Sequence, residues 1–413
     1  MNILYLDHYA GSPAYGMEYR PYYLAREWVR SGHRVTIVAA SQSHVRSRNP
    51  TMDGRFTRER IDGVDFIWSK TPPYRGNGFG RVLNIVSFLR RLGQWREWLD
   101  AKPDVVIASS TYPADIGPAR RLARYHGATL VWEVHDLWPL SPIELGTMSR
   151  CHPFIVWMQC AENAACRDAD LVVSILPKAD VHLHEHGMDL DKFVHIPNGI
   201  DPAEWSDAAV VPLPAAHTMA IAFAREQGHA IVAYAGAHGL ANALDSMLDA
   251  AALSRQEPIT WMLVGSGTEK AALRQRVQSE GLRNVVMLDP VPKSAIPALL
   301  SAMDVLYLGL QSEPLFRFGI SPNKLFDYMM AARPIVCAIA AGNDPVGDAG
   351  CGETIAPQDP PALAAAVQRL SAMPRDQRDI LGRAGKTFVE RHHLYAGLTQ
   401  RFLDAVSATR ART

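Results

Sequence analysis

Short, continuous apolar runs separated by helix-period segments recur along almost the whole chain, and this alternation narrows the possible folds more than any other feature. Candidate strands in the first half are NILYLD (2–7), RVTIVAA (34–40), DVVIAS (104–109), TLVWEV (129–134) and DLVVS (170–174). Between the first two, YRPYYLAREWVRSG (19–32) has a helical pattern that ends at a glycine. The alternation restarts with AIVAYAG (230–236), ITWMLVG (259–265), NVVMLD (284–289), DVLYLGL (304–310) and PIVCAI (334–339). Strands without polar alternation, separated by helices, predict parallel sheets covered on both faces. The expected fold class is therefore α/β, with two Rossmann-like doubly wound domains facing across a cleft. The stretch 200–229, which opens DPAEWSDAAVVPLPAAH and turns alanine-rich, reads as a linker region. The first domain is expected over 1–205 and the second over 206–394.

A chain of 413 residues has ample length for two buried cores. It contains no uninterrupted apolar run of 18 residues, so no membrane-spanning helix is expected. The opening MNILYLDHYAGSP reads as a first strand rather than a leader peptide. Five cysteines form no CxxC pair, which predicts free thiols in a reducing cytoplasm and no structural zinc. Net charge is zero, yet residues 1–124 carry 19 Lys+Arg against 11 Asp+Glu, and the remainder carries 23 against 31. That asymmetry suits a first half that meets something anionic; ordinary arginine-rich helix faces would produce it equally well.

Three glycine-bearing turns lie at strand ends of the second half. YAGAHGLAN (234–242) sets His238 between Gly236 and Gly239, LVGSGTEKAALR (263–274) sets Ser266 between Gly265 and Gly267, and RFGISPNKLFDYMMAARPIV (317–336) begins a helix after Gly319. Glycine there lets backbone approach a phosphate that faces a helix N-terminus. In the last of these, Ser321 is expected as N-cap and Pro322 at the first helical position. Lys324 and Asp327 follow one turn apart, and read either as a surface ion pair or as an anion site backed by a carboxylate. The first half has no GxGxxG after its first strand, which argues against a dinucleotide-dependent dehydrogenase. It has instead WEVHDLWPLSP (132–142), with His135 and Asp136 at a strand's carboxyl end, and Gly16, Glu18 and Arg20 after the first strand. HIPNGID (195–201) adds Asn198 in a Pro-Asn-Gly turn.

The segments HYAGSPAYGMEYRPYYLARE (8–27), SGHRVTIVAAS (31–41), HDLWP (135–139), IPNGID (196–201), YAGAHGLAN (234–242), GISPNKLFDYM (319–329) and RPIV (333–336) together resemble the family 4 retaining glycosyltransferases of the GT-B fold, and within them the WbuB-like enzymes of bacterial O-antigen and capsule assembly. The resemblance spans nearly the whole chain. It implies a nucleotide-sugar donor, most simply UDP-linked, on the second domain and a lipid-linked or saccharide acceptor on the first. It implies a C-terminal helix, about 395–413, that returns to the first domain, and it involves no metal, cofactor or nucleic acid. His135, Asp136 and Lys324 are cast as catalytic. Gly16, Glu18, Arg20, Asn198, Gly236, His238, Gly239, Gly265, Ser266, Val291, Ser321, Pro322, Asn323 and Asp327 are cast as binding substrate.

Two family features are missing. Family members carry two glutamates eight positions apart around this helix, whereas this chain has Gly319 and Asp327. The cations that usually follow the YAG strand are replaced by Ala237 and uncharged neighbours. Set against the resemblance, Lys324 is the best candidate to replace those cations at the diphosphate, and Asp327 would accept hydrogen bonds from the ribose hydroxyls. A UDP-sugar 2-epimerase of the same fold, or a nucleotide-binding module without catalysis, would carry many of the same features. The segment FGRVLNIVSFLRRLGQWREWL (79–99), with four arginines and two tryptophans, reads either as a helix on a membrane surface or as a buried helix with snorkelling arginines. CHPFIVWMQCAENAAC (151–166) reads as a core or cleft-lining helix. A cytoplasmic enzyme, peripheral on the membrane's inner face, is the location these features imply.

Overall fold

The computed structural model describes residues 1–412 apart from 77, 147 and 207–210. It divides into two compact units. One comprises Met1–Asn198, Phe318–Ile320 and Tyr395–Thr413, the other Gly199–Arg317 and Ser321–Leu394.

The first unit is built on eight strands: β1 (Asn2–Leu6), β2 (Arg34–Ala40), β3 (Phe56–Ile61), β4 (Val64–Ser69), β5 (Val105–Ala108), β6 (Thr129–Val134), β7 (Leu171–Ser174) and β8 (Phe193–His195). Their order is β3-β4-β2-β1-β5-β6-β7-β8, and Ile3 of β1 sits opposite Val35 on one side and Val105 on the other. Every pairing is parallel except β3 with β4. That hairpin is absent from the strand pattern read above because FTRERI carries three charges and no continuous apolar run. Its signal was the Asp-Gly turn: Asp62 and Gly63 both have positive φ (49° and 86°), as a two-residue type I′ connection requires. The charged residues also suit an edge strand, where they discourage pairing with another chain.

The helix Tyr395–Arg412 belongs to this unit, where the Tyr395 ring stacks on Tyr23 at 4.8 Å and Phe402 meets Trp28 edge-on at 5.0 Å. Tyr23, Trp28, Tyr395 and Phe402 are all buried in one core with Tyr5, Ile37 and Phe66.

The second unit has six parallel strands: β9 (Ala230–Ala235), β10 (Ile259–Val264), β11 (Val285–Leu288), β12 (Val305–Gly309), β13 (Ile335–Ala338) and β14 (Gly352–Ile355), in the order β11-β10-β9-β12-β13-β14. Val232, Tyr234, Trp261, Leu263 and Tyr307 are buried in its core. All ten strands predicted from the sequence are present, within two Rossmann-like parallel sheets. The expected linker differs: its alanine-rich part forms the helix Ala215–Glu226, because alanine favours helix and no glycine or proline interrupts AAHTMAIAFARE.

In each sheet the strand order reverses next to the first strand of the unit, between β1 and β5 and between β9 and β12. Ligands of such sheets sit at the carboxyl ends of the strands beside that reversal.

Candidate active site

In the first unit the reversal point gathers a polar cluster around Glu133, near the end of β6. The Glu133 side chain is fully buried, and its carboxylate accepts from Arg20 Nε at 3.0 Å, from Ser109 Oγ at 2.7 Å and from the Tyr5 hydroxyl. His135 Nε2 lies 3.1 Å from the same carboxylate and 3.0 Å from Ser109 Oγ. Burial pushes the Glu133 carboxyl up, but Arg20 and then His135 outweigh it and hold it well below the usual carboxylate range. Burial likewise opposes the His135 cation, yet Glu133 and then Asp7 overcome it and raise its pKa above the ordinary histidine value. Nδ1 of His135 meets no partner among the described residues, so this face of the ring can donate to a ligand.

Asp7 ends the cluster, its carboxyl pushed up to about 7 by burial while accepting the Tyr9 amide at 2.8 Å. Glu18 also feels His135, though burial raises its pKa overall. Neither Glu133 nor Asp7 was singled out from the sequence. The available signal for Glu133 was a carboxylate inside an otherwise apolar strand, TLVWEV.

Two residues expected in the site have other tasks. Arg20 is 3% exposed, pairs with Glu133, and donates to the carbonyls of Pro197 (2.6 Å) and Ile196 (2.9 Å). With its three nitrogens engaged it is removed from the substrate-binding set and instead keeps Glu133 ionised. Asp136 accepts from the Leu137 amide at 2.9 Å, Trp138 Nε1 at 3.1 Å and Ser141 Oγ at 2.5 Å. These bonds tie the carboxylate to the local turn and to Trp138, and leave acceptor capacity on Oδ2 at the cavity wall. Gly16 has φ +95° and closes the loop through Ser12, and Asn198 is buried after β8.

Beside Asp136 the first unit opens a cavity of about 710 Å³, lined by Phe79, Val82, Trp138, Pro142, Leu145 and Phe154, with Arg81 at its wall. The Arg81 guanidinium lies over the rings of Tyr9 (5.5 Å) and Trp138 (5.6 Å). The helix Phe79–Leu92 that forms one side buries Ile85, Phe88 and Leu92, while Phe79 is 75% and Leu83 48% exposed. Arg90 and Arg96 are exposed, and Arg96 stacks on Trp95 at 5.1 Å. The helix therefore has a buried face and a free face that is both apolar and basic.

In the second unit the turns around Gly236 and Gly265 interlock at the carboxyl ends of β9 and β10. The expected third turn does not join them, because Gly319 follows the short helix Pro314–Phe318 and falls with the first unit. A Cβ on Gly236 (φ +155°) would stand 2.8 Å from Lys324 Cδ, and one on Gly265 (φ +153°) would collide with the Gly236 carbonyl. Glycine is required at both. His238, from the first turn, is fully buried, its amide bonded to the Ser266 carbonyl at 2.8 Å, and neither ring nitrogen has a hydrogen-bond partner. The Val264 carbonyl lies close to that ring without hydrogen-bonding geometry. Burial lowers the pKa of His238 to about 4, with Lys270 and Lys324 adding to the effect.

Lys324, near the start of the helix Asn323–Met330, donates to Tyr234 Oη at 2.6 Å and Asn242 Oδ1 at 2.8 Å. Among the described residues no carboxylate is within ion-pair distance of it, and burial lowers its pKa to about 8. The surface ion pair with Asp327 does not form. Asp327 is pushed up to about 7 by burial, with Lys293 and the Trp205 indole opposing that rise and Glu204 adding to it. The helix also begins one residue later than predicted. Pro322 occupies the capping position with extended backbone and no side-chain cap, so Ser321 is not the N-cap. Asn323 is exposed, Ser321 is buried, Ser266 is exposed, and Val291 follows β11 at the same edge of the sheet. Tyr234, Asn242 and Lys270, which donates to the Gly265 carbonyl at 2.7 Å, were not anticipated.

Two turns locked by glycine, a half-buried cation with no carboxylate in reach among the described residues and a buried imidazole without hydrogen-bond partners meet at this end of the sheet, a combination that favours an anion. The chain belongs to the glycosyltransferases of the GT-B fold: residues 15–199 match the glycosyl transferase 4-like domain and residues 229–373 the glycosyl transferases group 1 domain. Among curated proteins it is 24% identical over 288 residues to WcaI of Escherichia coli K12, a glycosyl transferase named for colanic acid biosynthesis, covering 67% of this chain and 69% of that protein. It is 23% identical over 270 residues to WbjE of Pseudomonas aeruginosa, named as a glycosyltransferase, covering 64% and 66% respectively. Solved structures of the same fold include sucrose-phosphate synthase of Thermosynechococcus elongatus (TM-score 0.74, 17% identity, all of both chains). Another is HepE of Anabaena in complex with UDP-glucose (TM-score 0.66, 16% identity, 99% of this chain and 100% of that one). Among the described residues no helix is long and apolar enough to cross a membrane.

Proposed function

We propose that this glycosyltransferase moves a sugar, an N-acetylated hexosamine or deoxyhexosamine, from a UDP-sugar to a lipid-linked or saccharide acceptor in cell-surface polysaccharide assembly, with retention of anomeric configuration. The observation that carries the donor half is Lys324, a half-buried ammonium held on two neutral oxygens beside the Gly236 turn. A diphosphate arriving there would exchange weak acceptors for a charge-assisted contact. His238 could supply a neutral N–H to the same anion. Asp327 would accept the ribose hydroxyls, and Val291, Gly239 and Ser266 would line the remainder of the donor site.

Support for a polysaccharide role comes from the relative named for colanic acid biosynthesis, and support for a UDP donor from the HepE complexes with UDP and UDP-glucose. On the acceptor side, the apolar cavity beside Trp138 suits a lipid carrier, and His135 is the group offered to the reacting sugars. We assign no carboxylate as a nucleophile. Retention would follow if the leaving phosphate took the acceptor's proton on the face from which it departs, with Lys324 stabilising the charge that grows there. The basic, apolar free face of the helix Phe79–Leu92 would bring the enzyme to the membrane surface where such acceptors reside.

The test is direct. Thermal shift against UDP-, GDP- and dTDP-sugars identifies the nucleotide, and product analysis follows with and without a lipid-linked acceptor. Acceptor-dependent glycosylation supports the proposal. Conversion of UDP-GlcNAc alone would make the chain an epimerase, and UDP binding without any turnover a nucleotide-binding module.

A further inference from the structure

We propose that the first unit holds a Zn2+ ion between Glu162, His182 and His186. Glu162 comes from the helix Pro153–Asp168, His182 from the helix Ala179–Glu185, and His186 is the residue that ends the latter. Four-residue spacing puts the two imidazoles on one face, with ring centroids 4.5 Å apart. His182 Nε2 is 3.0 Å from Glu162 Oε1, and His186 Nε2 is 4.0 Å from Glu162 Oε2. One ligand atom from each residue lies within 4.8 Å of the other two. Zinc–ligand bonds of about 2.0–2.2 Å in tetrahedral geometry separate neighbouring ligand atoms by roughly 3.3 Å, so small side-chain movements would close the site.

Three further features favour a cation. Glu162 is fully buried, and among the described residues its only ion-pair partners are the two histidines. A buried carboxylate needs positive charge, and a divalent ion shared with both imidazoles would supply it. The surrounding amides also set the ligands as metal binding requires. Gln159 Nε2 donates to Glu162 Oε2 at 2.7 Å and to Asn163 Oδ1 at 2.9 Å, which uses both of its protons. The 3.0 Å approach of Gln159 Nε2 to His186 Nδ1 is then not a donated bond, and Nδ1–H donates to Asn163 Oδ1 at 3.1 Å. That tautomer leaves the lone pair on His186 Nε2, the nitrogen facing Glu162. Finally, the donor set is N2O, which suits zinc, and His186 is partly exposed, leaving room for water as fourth ligand. Cysteine spacing could not reveal such a site, because it contains no cysteine.

The ion would clamp two helices of the first unit, so metal binding would stabilise that unit. The probe is Zn2+ alone, with Co2+ as spectroscopic substitute, added to full-length protein stripped with a chelator. One equivalent of Zn2+ should bind and raise the melting temperature. The double variant His182→Ala/His186→Ala should lose at least a hundredfold in affinity, and Glu162→Gln, which keeps shape and hydrogen bonding, about tenfold. Circular dichroism and UDP affinity of each variant establish that it is folded. Should the double variant not fold, the Co2+ spectrum of the wild-type protein decides: intense tetrahedral bands support the site, and weak octahedral bands overturn it. Absence of stoichiometric binding at micromolar Zn2+, or binding that all three substitutions leave unchanged, would reduce the cluster to a hydrogen-bonded joint between helices.

Discussion

Lys324 Nζ sits 2.6 Å from the Tyr234 hydroxyl and 4.6 Å from the centre of its ring, a cation resting on the edge and face of a neutral aromatic. The pairing keeps a half-buried ammonium in place without neutralising it.

Replacing Lys324 with Ala should lower turnover about tenfold to a hundredfold, equivalent to roughly 1.5–3 kcal/mol for one charge-assisted contact. UDP affinity should fall less, since charge on the leaving phosphate grows toward the transition state. Steady-state kinetics beside calorimetric UDP titration separates the two effects. Unchanged activity would mean that Lys324 only fills space.

Stability should respond in the opposite sense. The folded-state pKa of Lys324, about 8, lies below its unfolded value, so below pH 8 the full cost of burying the charge is present. Between about 8 and the unfolded value the folded state sheds a proton that the unfolded chain retains, and this cost shrinks. Lys324→Met should therefore match or exceed the wild-type urea midpoint at pH 7, with the gap closing by pH 10.

Asp327, with a pKa pushed up to about 7, should make donor binding pH-dependent from the other side. A carboxylate that accepts ribose hydroxyls is deprotonated only above that value, while Lys324 remains charged only below about 8. UDP affinity should then peak between pH 7 and 8. Asp327→Asn should weaken UDP and UDP-sugar alike and abolish the acidic limb of the profile. Raised in the folded state, the carboxyl also costs stability as pH climbs from its unfolded value toward 7, so the same variant should be relatively more stable at pH 8 than at pH 4. An acidic limb that survives in Asp327→Asn would assign it to another group.

His135→Ala should reduce turnover far more than UDP affinity. Its raised folded-state pKa means that the stability supplied by Glu133 is complete below the unfolded histidine value and fades as pH rises through the folded one. Thermal melts of wild type and variant should thus diverge most in mild acid. Equal melts across pH would remove the Glu133–His135 ion pair from the account.

Exposed Arg90 and Arg96, beside exposed Phe79 and Leu83, should bind anionic vesicles in a salt-sensitive way. Arg90→Ala with Arg96→Ala should weaken co-sedimentation and leave UDP affinity intact. Equal sedimentation with neutral and anionic vesicles at every salt concentration would refute the membrane role.

The sheets were readable because parallel strands buried on both faces leave uninterrupted apolar runs, as in AIVAYAG and ITWMLVG. The β3–β4 hairpin lacked that signature and announced itself only through Asp62-Gly63. In the cluster at the ends of β9 and β10, Gly236, Gly265 and Lys324 were legible as residues, since backbone approach and charge leave marks in sequence. Tyr234 and Asn242 were not, because an aromatic at a strand end is ordinarily core and only the fold brings it against Lys324. Arg20 misled for a related reason: an arginine past a strand end looks available until Glu133, 113 residues away, is seen to claim it.

The helix Tyr395–Arg412, whose Tyr395 and Phe402 complete the core around Tyr23 and Trp28, has a consequence during synthesis. Domains generally fold as units while the chain emerges from the ribosome. Here the second unit is made in full before the residues that finish the first. The earlier domain must wait with part of its aromatic core uncovered, and for that interval it is the half of the chain in need of a chaperone.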